Sequence, residues 1–370
     1  MNKTITLGLM SGTSLDGTDA VAMAFEKDTM TYLGHVSLPF PHELRDQLAN
    51  LTLPGDNEID RMGDASVALV RHYAEAVQLL LAKTQLPPKD VNAIGVHGQT
   101  IRHRPERGFT LQLNHPALLA ELTHIDVICD FRNRDIAAGG EGAPLVPAFH
   151  AKTFSSHEPR VILNLGGIAN ISILPPNAAQ SDQPILGGDT GPANMLIDTW
   201  TQRTLGLPFD KEGAWAATGQ VIPALLADCL SDPYFALPFP KSTGRERFSP
   251  AWLDHHLARH PGLAPQDVAR TLVEVTARSV TDAVTRFAPN AKALILCGGG
   301  TYNQTLRQAL AQHFKGDVFD TSLLGVHPMQ VEAAAFAWLA ERFIHRQPGN
   351  LPSVTRAVGP RILGALYPYQ

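Results

Sequence analysis

At 370 residues, with 44% hydrophobic and 18% charged side chains and a formal net charge of -5, the chain has the balance of an ordinary globular enzyme. It offers no basic field to a nucleic acid, and no stretch approaches the ~18 consecutive apolar residues of a membrane span, so neither partner is expected. Cys129, Cys229 and Cys297 are widely spaced and form no CxxC pair, which argues against a disulfide framework or a zinc site and leaves three buried thiols.

Length favours two domains, at roughly 100–200 residues each, with a cleft between them. Met1 leads straight into an apolar strand without the regions of a signal peptide, so a cytoplasmic protein is expected. Ile5, Leu7 and Leu9 alternate as in a strand, and Val21, Met23 and Phe25 do so again after a short turn. Residues 8–19 read GLMSGTSLDGTD. The amides and hydroxyls of Gly12, Thr13 and Ser14 can meet a polyphosphate, with Asp16 or Asp19 near magnesium through water. A hairpin turn merely rich in Gly, Ser and Asp is the structural alternative. The Lys of a Walker loop is missing, which argues against a P-loop fold.

Val67, Val70, Ala74, Val77 and Leu81 follow the spacing of one buried helix face, and residues 91–97 return to strand. His97, Gln99 and Thr100 (with Arg102, His103 and Arg104 behind them) and then Phe131-Arg132-Asn133-Arg134-Asp135 leave strands with side chains able to bind a polyol or a carboxylate, although paired arginines also serve as solvated or structural groups. AGGEGAPLVP, 138–147, reads as the crossing between domains. From Val161, VILNL, the turn GGIAN and the strand ISIL repeat the opening strand, turn and strand, a duplication of architecture without one of sequence.

In GGDTGPAN, 187–194, Asp189 stands between glycines with Thr190 and Asn194 able to orient a hydroxyl or water, as a general base requires. Asp189 as the cap of a helix beginning near Pro192 is an equal alternative. KSTGRE, 241–246, is either a solvated turn or a basic pair facing phosphate or sugar. His256 and His260 have the spacing of a zinc pair but lack an HExxH glutamate, so they read as a solvated helix face. The strand Ala293 to Leu296 ends in Cys297-Gly298-Gly299-Gly300, where a turn needs one glycine and three suit close approach to a flat adenosine. Val331 to Phe343 is a strong helix, followed by a GNLPSV tail that folds back on the first domain.

Taken in order, GLMSGTSLDGTD, VHGQTIRH, FRNRDIAAGGEGAPLVP, NLGGIAN, GGDTGPAN, KSTGRE, CGGGTYN, VEAAAFAWLA and GNLPSVT resemble the anhydro-N-acetylmuramic acid kinase family from end to end. The resemblance implies an α/β fold of the actin-like ATPase type, shared by sugar kinases, chaperone ATPases and actin, with two duplicated domains around a nucleotide cleft. Expected bounds are 1–131 plus about 355–370 for the first domain and 132–354 for the second. The implied reaction takes ATP, 1,6-anhydro-N-acetylmuramate and water to N-acetylmuramate 6-phosphate while the anhydro ring opens, in peptidoglycan recycling. A homodimer using ATP and magnesium is implied with it.

Carried over residue by residue, the resemblance gives Gly12, Thr13, Ser14, Leu15, Asp16, Gly17, Thr18 and Asp19, with Asn164, Gly166, Gly167, Gly298, Gly299 and Gly300, to ATP. It gives His97, Gln99, Thr100, Thr190, Gly191 and Asn194 to the sugar, and catalysis to Asp189, Arg132, Arg134 and Glu332. Asp189 is the base that activates water; Glu332 helps hold the metal or nucleotide end. Three positions depart from the expected pattern: Ala193 for a second glycine, Arg356 for a small residue, and Met10 where the wider superfamily has Asp. The alternative is another actin-like sugar or acid kinase, in which Asp189 would deprotonate a free hydroxyl directly. A nucleotide-gated binding protein would need a further domain, and none is visible.

Overall fold

In the computed structural model, which describes residues 3–27, 29–244 and 247–370, the chain forms two compact units, Met1–Phe149 with Gln330–Gln370 and His150–Met329. The first opens with β1 (Thr4–Met10), β2 (Gly17–Glu26) and β3 (Thr29–Pro39), an antiparallel meander. Helices α1 (His42–Leu51) and α2 (Glu58–Thr84) then carry the chain back to β4 (Ala93–Val96), parallel to β1, since parallel neighbours need such a crossover. On α2 the buried stripe is wider than the alternating three- and four-residue spacing implied. Val67 is only half-buried, while Leu69, Tyr73 and Leu80 join Val70, Ala74, Val77 and Leu81 inside. The helix packs on the sheet along one side and on α1 and the later α3 (Pro116–Thr123) along another. A small sheet of β5 (Gln99–Arg104) and β6 (Phe109–Leu113) precedes α3, after which come β7 (Val127–Cys129), parallel to β4, α4 (Phe131–Ile136) and α5 (Val146–Phe154).

The second unit repeats the plan. Strands β8 (Arg160–Leu165), β9 (Ile168–Leu174) and β10 (Leu186–Pro192) form an antiparallel meander. Helices α6 (Asn194–Leu205), α7 (Pro223–Leu230), α8 (Pro250–Leu257) and α9 (Pro265–Phe287) follow. Then β11 (Ala293–Cys297) lies parallel to β8, and α10 (Gln304–His313) leads to β12 (Asp317–Asp320), parallel to β11. The orders β3-β2-β1-β4-β7 and β10-β9-β8-β11-β12 are the same, in pairing and direction. This repeated α/β plan is the expected actin-like ATPase fold, and the duplication inferred from two strand-turn-strand segments extends to five strands of each sheet, the first sheet alone having a sixth. All three cysteines are buried thiols outside any disulfide, and among the described residues no helix is long and apolar enough to cross a membrane.

The chain returns to the first unit with α11 (Val331–Ile344), α12 (Pro352–Thr355) and β13 (Ala365–Tyr367), which pairs with β7. This corrects the expected bounds, because 132–149 and 330–354 both belong to the first unit. The reason lies in two glycines. A Cβ on Gly8 would stand 1.9 Å from the Ala333 carbonyl oxygen, and one on Gly95 would stand 2.1 Å from that of Phe336, so α11 lies directly on the backbones of β1 and β4. Buried Asp135 then fastens α4 to the tail, accepting from Gly142 N (2.8 Å), Asn350 Nδ2 (2.6 Å) and Thr355 Oγ1 (2.8 Å).

Candidate active site

In the first unit the turn after β1 is closed by Leu15 N donating to the Gly12 carbonyl at 3.2 Å, with Leu15 at φ 59°. Its shape is set from beneath. Buried Gln99 donates Nε2 to the Gly12 carbonyl at 3.2 Å, and Ser11 Oγ bonds Tyr73 Oη at 2.6 Å. Gln99, expected on the sugar, thus supports the turn. Thr13, Ser14 and Asp16 are exposed, and a Cβ on Gly12 would meet only Ser14, at 3.5 Å, so a polyphosphate fits here. The side chains of Leu15 and Thr18 face inward. Gly17 is required by packing instead, since its Cβ would lie 2.3 Å from the Leu38 carbonyl oxygen.

A second cluster of that unit joins β2, β4, α4 and α11. Arg132 donates Nε to His97 Nε2 at 2.9 Å and Nη1 to the Gly142 carbonyl at 2.8 Å. Burial brings its guanidinium down to about 10, against the opposing pull of Glu332 and Asp135. Burial, then Arg132, holds His97 well below the usual histidine range, so it is a neutral acceptor. Burial also raises the Glu332 carboxyl, which Arg132 lowers and Asp19 raises further. Asp19 accepts from Ser37 Oγ at 2.5 Å and Gln330 Nε2 at 3.1 Å. Arg134 is not part of this cluster: it is exposed and has no hydrogen bond or ion pair among the described residues. Thr100 accepts from Gln112 in the small sheet, and Arg102 pairs with Glu58 at 2.7 Å, a structural use. Magnesium keeps most of its water and needs only one or two carboxylates, which Asp19, Glu332 and exposed Asp16 can offer.

In the second unit the carbonyls of Gly166 and Gly167 accept from Asn194 N (3.0 Å) and Ala193 N (2.9 Å), satisfying amides at the start of α6. Of the three glycines after β11, two are explained by packing. A Cβ on Gly298 would stand 2.4 Å from Asn164 Oδ1, and one on Gly300 would stand 2.7 Å from Leu165 Cβ. Gly299 is exposed, its nearest neighbours 3.9 Å away, and is the one left open to a ligand.

Asp189 lies in β10 at a bulge. Its Oδ1 accepts from Asn170 Nδ2 and its Oδ2 from Thr243 N, both at 2.8 Å. The capping alternative fails, because Ala193 stands at the cap of α6, which receives no side-chain hydrogen bond. Thr190 and Asn194 spend their side chains on the carbonyls of Ala169 (3.4 Å) and Leu165 (3.0 Å), and a Cβ on Gly191 would collide with Phe235 at 2.6 Å. All three residues expected on the sugar therefore do structural work. The solvated-turn reading of KSTGRE also gives way. Lys241 is buried with its ammonium on the Tyr234 carbonyl at 2.9 Å, while Arg245 and Glu246 lie outside the described residues. His256 is not solvated either: it is buried against Asp228 at 3.0 Å, which His260 reaches at 3.3 Å. Arg356 pairs with Glu141 at 2.7 Å.

Asn170, Thr243, Tyr234, Gln330 and Ser37 escaped the sequence reading. Asn170 and Thr243 sit inside motifs already singled out, NLGGIAN and KSTGRE, so a signal existed for them. The others are joined to the site only by the fold.

A family model described as anhydro-N-acetylmuramic acid kinase matches residues 4–369. Relatives bearing that same description come from Burkholderia orbicola (strain AU 1054), 54% identical over 371 residues, and Bordetella petrii, 54% identical over 366 residues. Each alignment covers 98% of this chain and 96% of the relative. Among solved structures, the activator of the 2-hydroxyisocaproyl-CoA dehydratase from Clostridium difficile with bound ADPNP is similar at TM-score 0.47 and 12% identity, covering 90% of this chain and 93% of that one.

Proposed function

The chain belongs to the anhydro-N-acetylmuramic acid kinase family, and we propose that it converts ATP, 1,6-anhydro-N-acetylmuramate and water to ADP and N-acetylmuramate 6-phosphate, opening the anhydro ring, in peptidoglycan recycling. The observation that carries the mechanism is the carboxylate of Asp189, which accepts from an N–H donor on each oxygen. Two such donors fix its orientation and favour the charged form, which is the state a general base needs. Asp189 takes a proton from water, the water oxygen bonds to the anomeric carbon, and the bond from that carbon to the bridging oxygen breaks. The bridging oxygen, still on the 6-carbon, takes the γ-phosphoryl group as ADP leaves.

In the first unit Gly12, Thr13 and Ser14 are open to the phosphates, and in the second Gly299 is open to a ligand, which suits the nucleotide the resemblance gives to both. Arg132, oriented by neutral His97, contacts the sugar or the charge developing on it. Magnesium, when bound, neutralises phosphate charge; Asp19 and Glu332 are the residues that would hold it, with water between. A cytoplasmic homodimer goes with this reading on the family resemblance. Turnover in oxygen-18 water tests the reaction: label on the anomeric hydroxyl above the level of product incubated alone supports ring opening. No label above that control, or efficient turnover of the open sugar, overturns it and favours a kinase acting on a free hydroxyl.

A further inference from the structure

Asp189 is gripped by one segment at three points. Its amide donates to the Lys241 carbonyl at 2.9 Å, its carbonyl accepts from the Tyr234 hydroxyl at 2.9 Å, and its Oδ2 accepts from the Thr243 amide. The segment between these contacts is tied shut. The Lys241 ammonium reaches back to the Tyr234 carbonyl at 2.9 Å and the Phe235 carbonyl at 3.3 Å, and stands 4.4 Å from the centre of the Tyr234 ring. Burying an ammonium costs free energy, and here its partners are neutral carbonyls and an aromatic face. A methionine would fill the same length without that cost, so the charge itself calls for an explanation. It fixes residues 234–241 by directional bonds that an apolar side chain cannot make, and Thr243 follows two residues on.

We infer that Lys241 is a positioning residue for Asp189, closing the 234–241 segment so that the Thr243 amide stays on the carboxylate of the base. The inference rests on Asp189 being that base. Burial, then Arg286, draws the Lys241 ammonium down to about 8 while Asp189 opposes them, so it stays charged at neutral pH. The ionisable groups facing Asp189 among the described residues are Lys241 and Tyr234, with Arg247 and Arg286 behind them.

The test is Lys241→Met, assayed for kcat, KM and the pH profile of kcat/KM. Releasing Thr243 removes one hydrogen bond to a charged group, so kcat should fall about 10- to 100-fold with the KM for ATP within about twofold. The acid limb of kcat/KM should also move up, because the carboxylate loses an amide donor and a nearby positive charge. A fall in kcat with an unmoved limb makes Lys241 merely structural and overturns the inference, as does unchanged kcat. Lys241→Met added to Asp189→Asn should cause no further loss, since there is no base left to position; a further tenfold drop would also overturn it. If Asp189→Asn alone keeps its activity, the base reading fails, whatever Lys241→Met does. Should Lys241→Met not fold, Tyr234→Phe decides by the same kcat and limb, because it removes one of the three contacts and keeps the ring.

Discussion

Asp189→Asn separates chemistry from folding more cleanly than most substitutions of a base, because of what surrounds the carboxylate. Thr243 N can only donate, so the new amide must turn its oxygen toward Thr243 and its NH₂ toward Asn170. Asn170 can rotate its own amide and accept from that NH₂, leaving both contacts made. The fold should thus lose no more than about 1 kcal/mol, a melting shift of about 2–4 °C for a domain of this size. Asp189→Ala, by contrast, orphans both donors at about 1–3 kcal/mol each. Catalysis should fall in both variants, because neither side chain can take a proton. Loss of a general base lowers the rate about 100- to 10,000-fold, or about 2.7–5.4 kcal/mol of barrier. ADP release at saturating ATP and anhydro-sugar measures the rate, thermal melting the fold, and calorimetric titration with ADP the unaltered nucleotide site. Turnover within threefold of wild type in a folded Asp189→Asn protein would refute the assignment, and a collapse in melting temperature would refute the exchange of amides.

Gly12→Val should fold normally, given the room at that Cβ, yet lose ATP and ADP binding in calorimetric titration by blocking backbone approach; unchanged affinity would put the phosphates elsewhere. Gly8→Ala should cost about 3 kcal/mol or more in urea denaturation, because its Cβ meets a helix backbone that cannot rotate aside, and a loss under 1 kcal/mol would contradict the direct seating of α11 on β1. His150 is drawn by burial from an ordinary value near 6.5 to about 3, its ring bonded to Ser172 at 2.9 Å. Its neutral form is favoured in the folded state, so the stability it carries is present above pH 6.5 and drains as pH falls toward 3, about 2 kcal/mol between pH 7 and 5. Urea titrations at both pH values should show that loss reduced by a similar amount in His150→Gln, and an equal loss in the variant would contradict it.

The local periods of the sequence carried most of the element reading. Alternation marked β1 and β2 and helical spacing marked α2, because a strand repeats every two residues and a helix every 3.6 whatever surrounds them, while short apolar runs marked β8 and β11 and a run of helix formers marked α11. The GTS turn stood out as polar chemistry packed into a short run after a strand, and Asp189 by its place in a glycine-rich run. What each residue does within those runs was decided by partners far away in sequence. Gly17 and Gly12 look alike in the motif, but Leu38 crowds the one and nothing crowds the other. Arg132 and Arg134 look like a pair, yet residues two apart on a helix point to different sides, so one meets His97 and the other meets solvent. Asp189 reads equally as cap or base in the sequence, and only the fold, which puts Ala193 at the cap of α6, removes the first alternative. The membership of α11 in the first unit was out of reach for the same cause: it depends on Gly8 fitting beneath Ala333, a contact that exists only once the chain has closed over more than 300 residues.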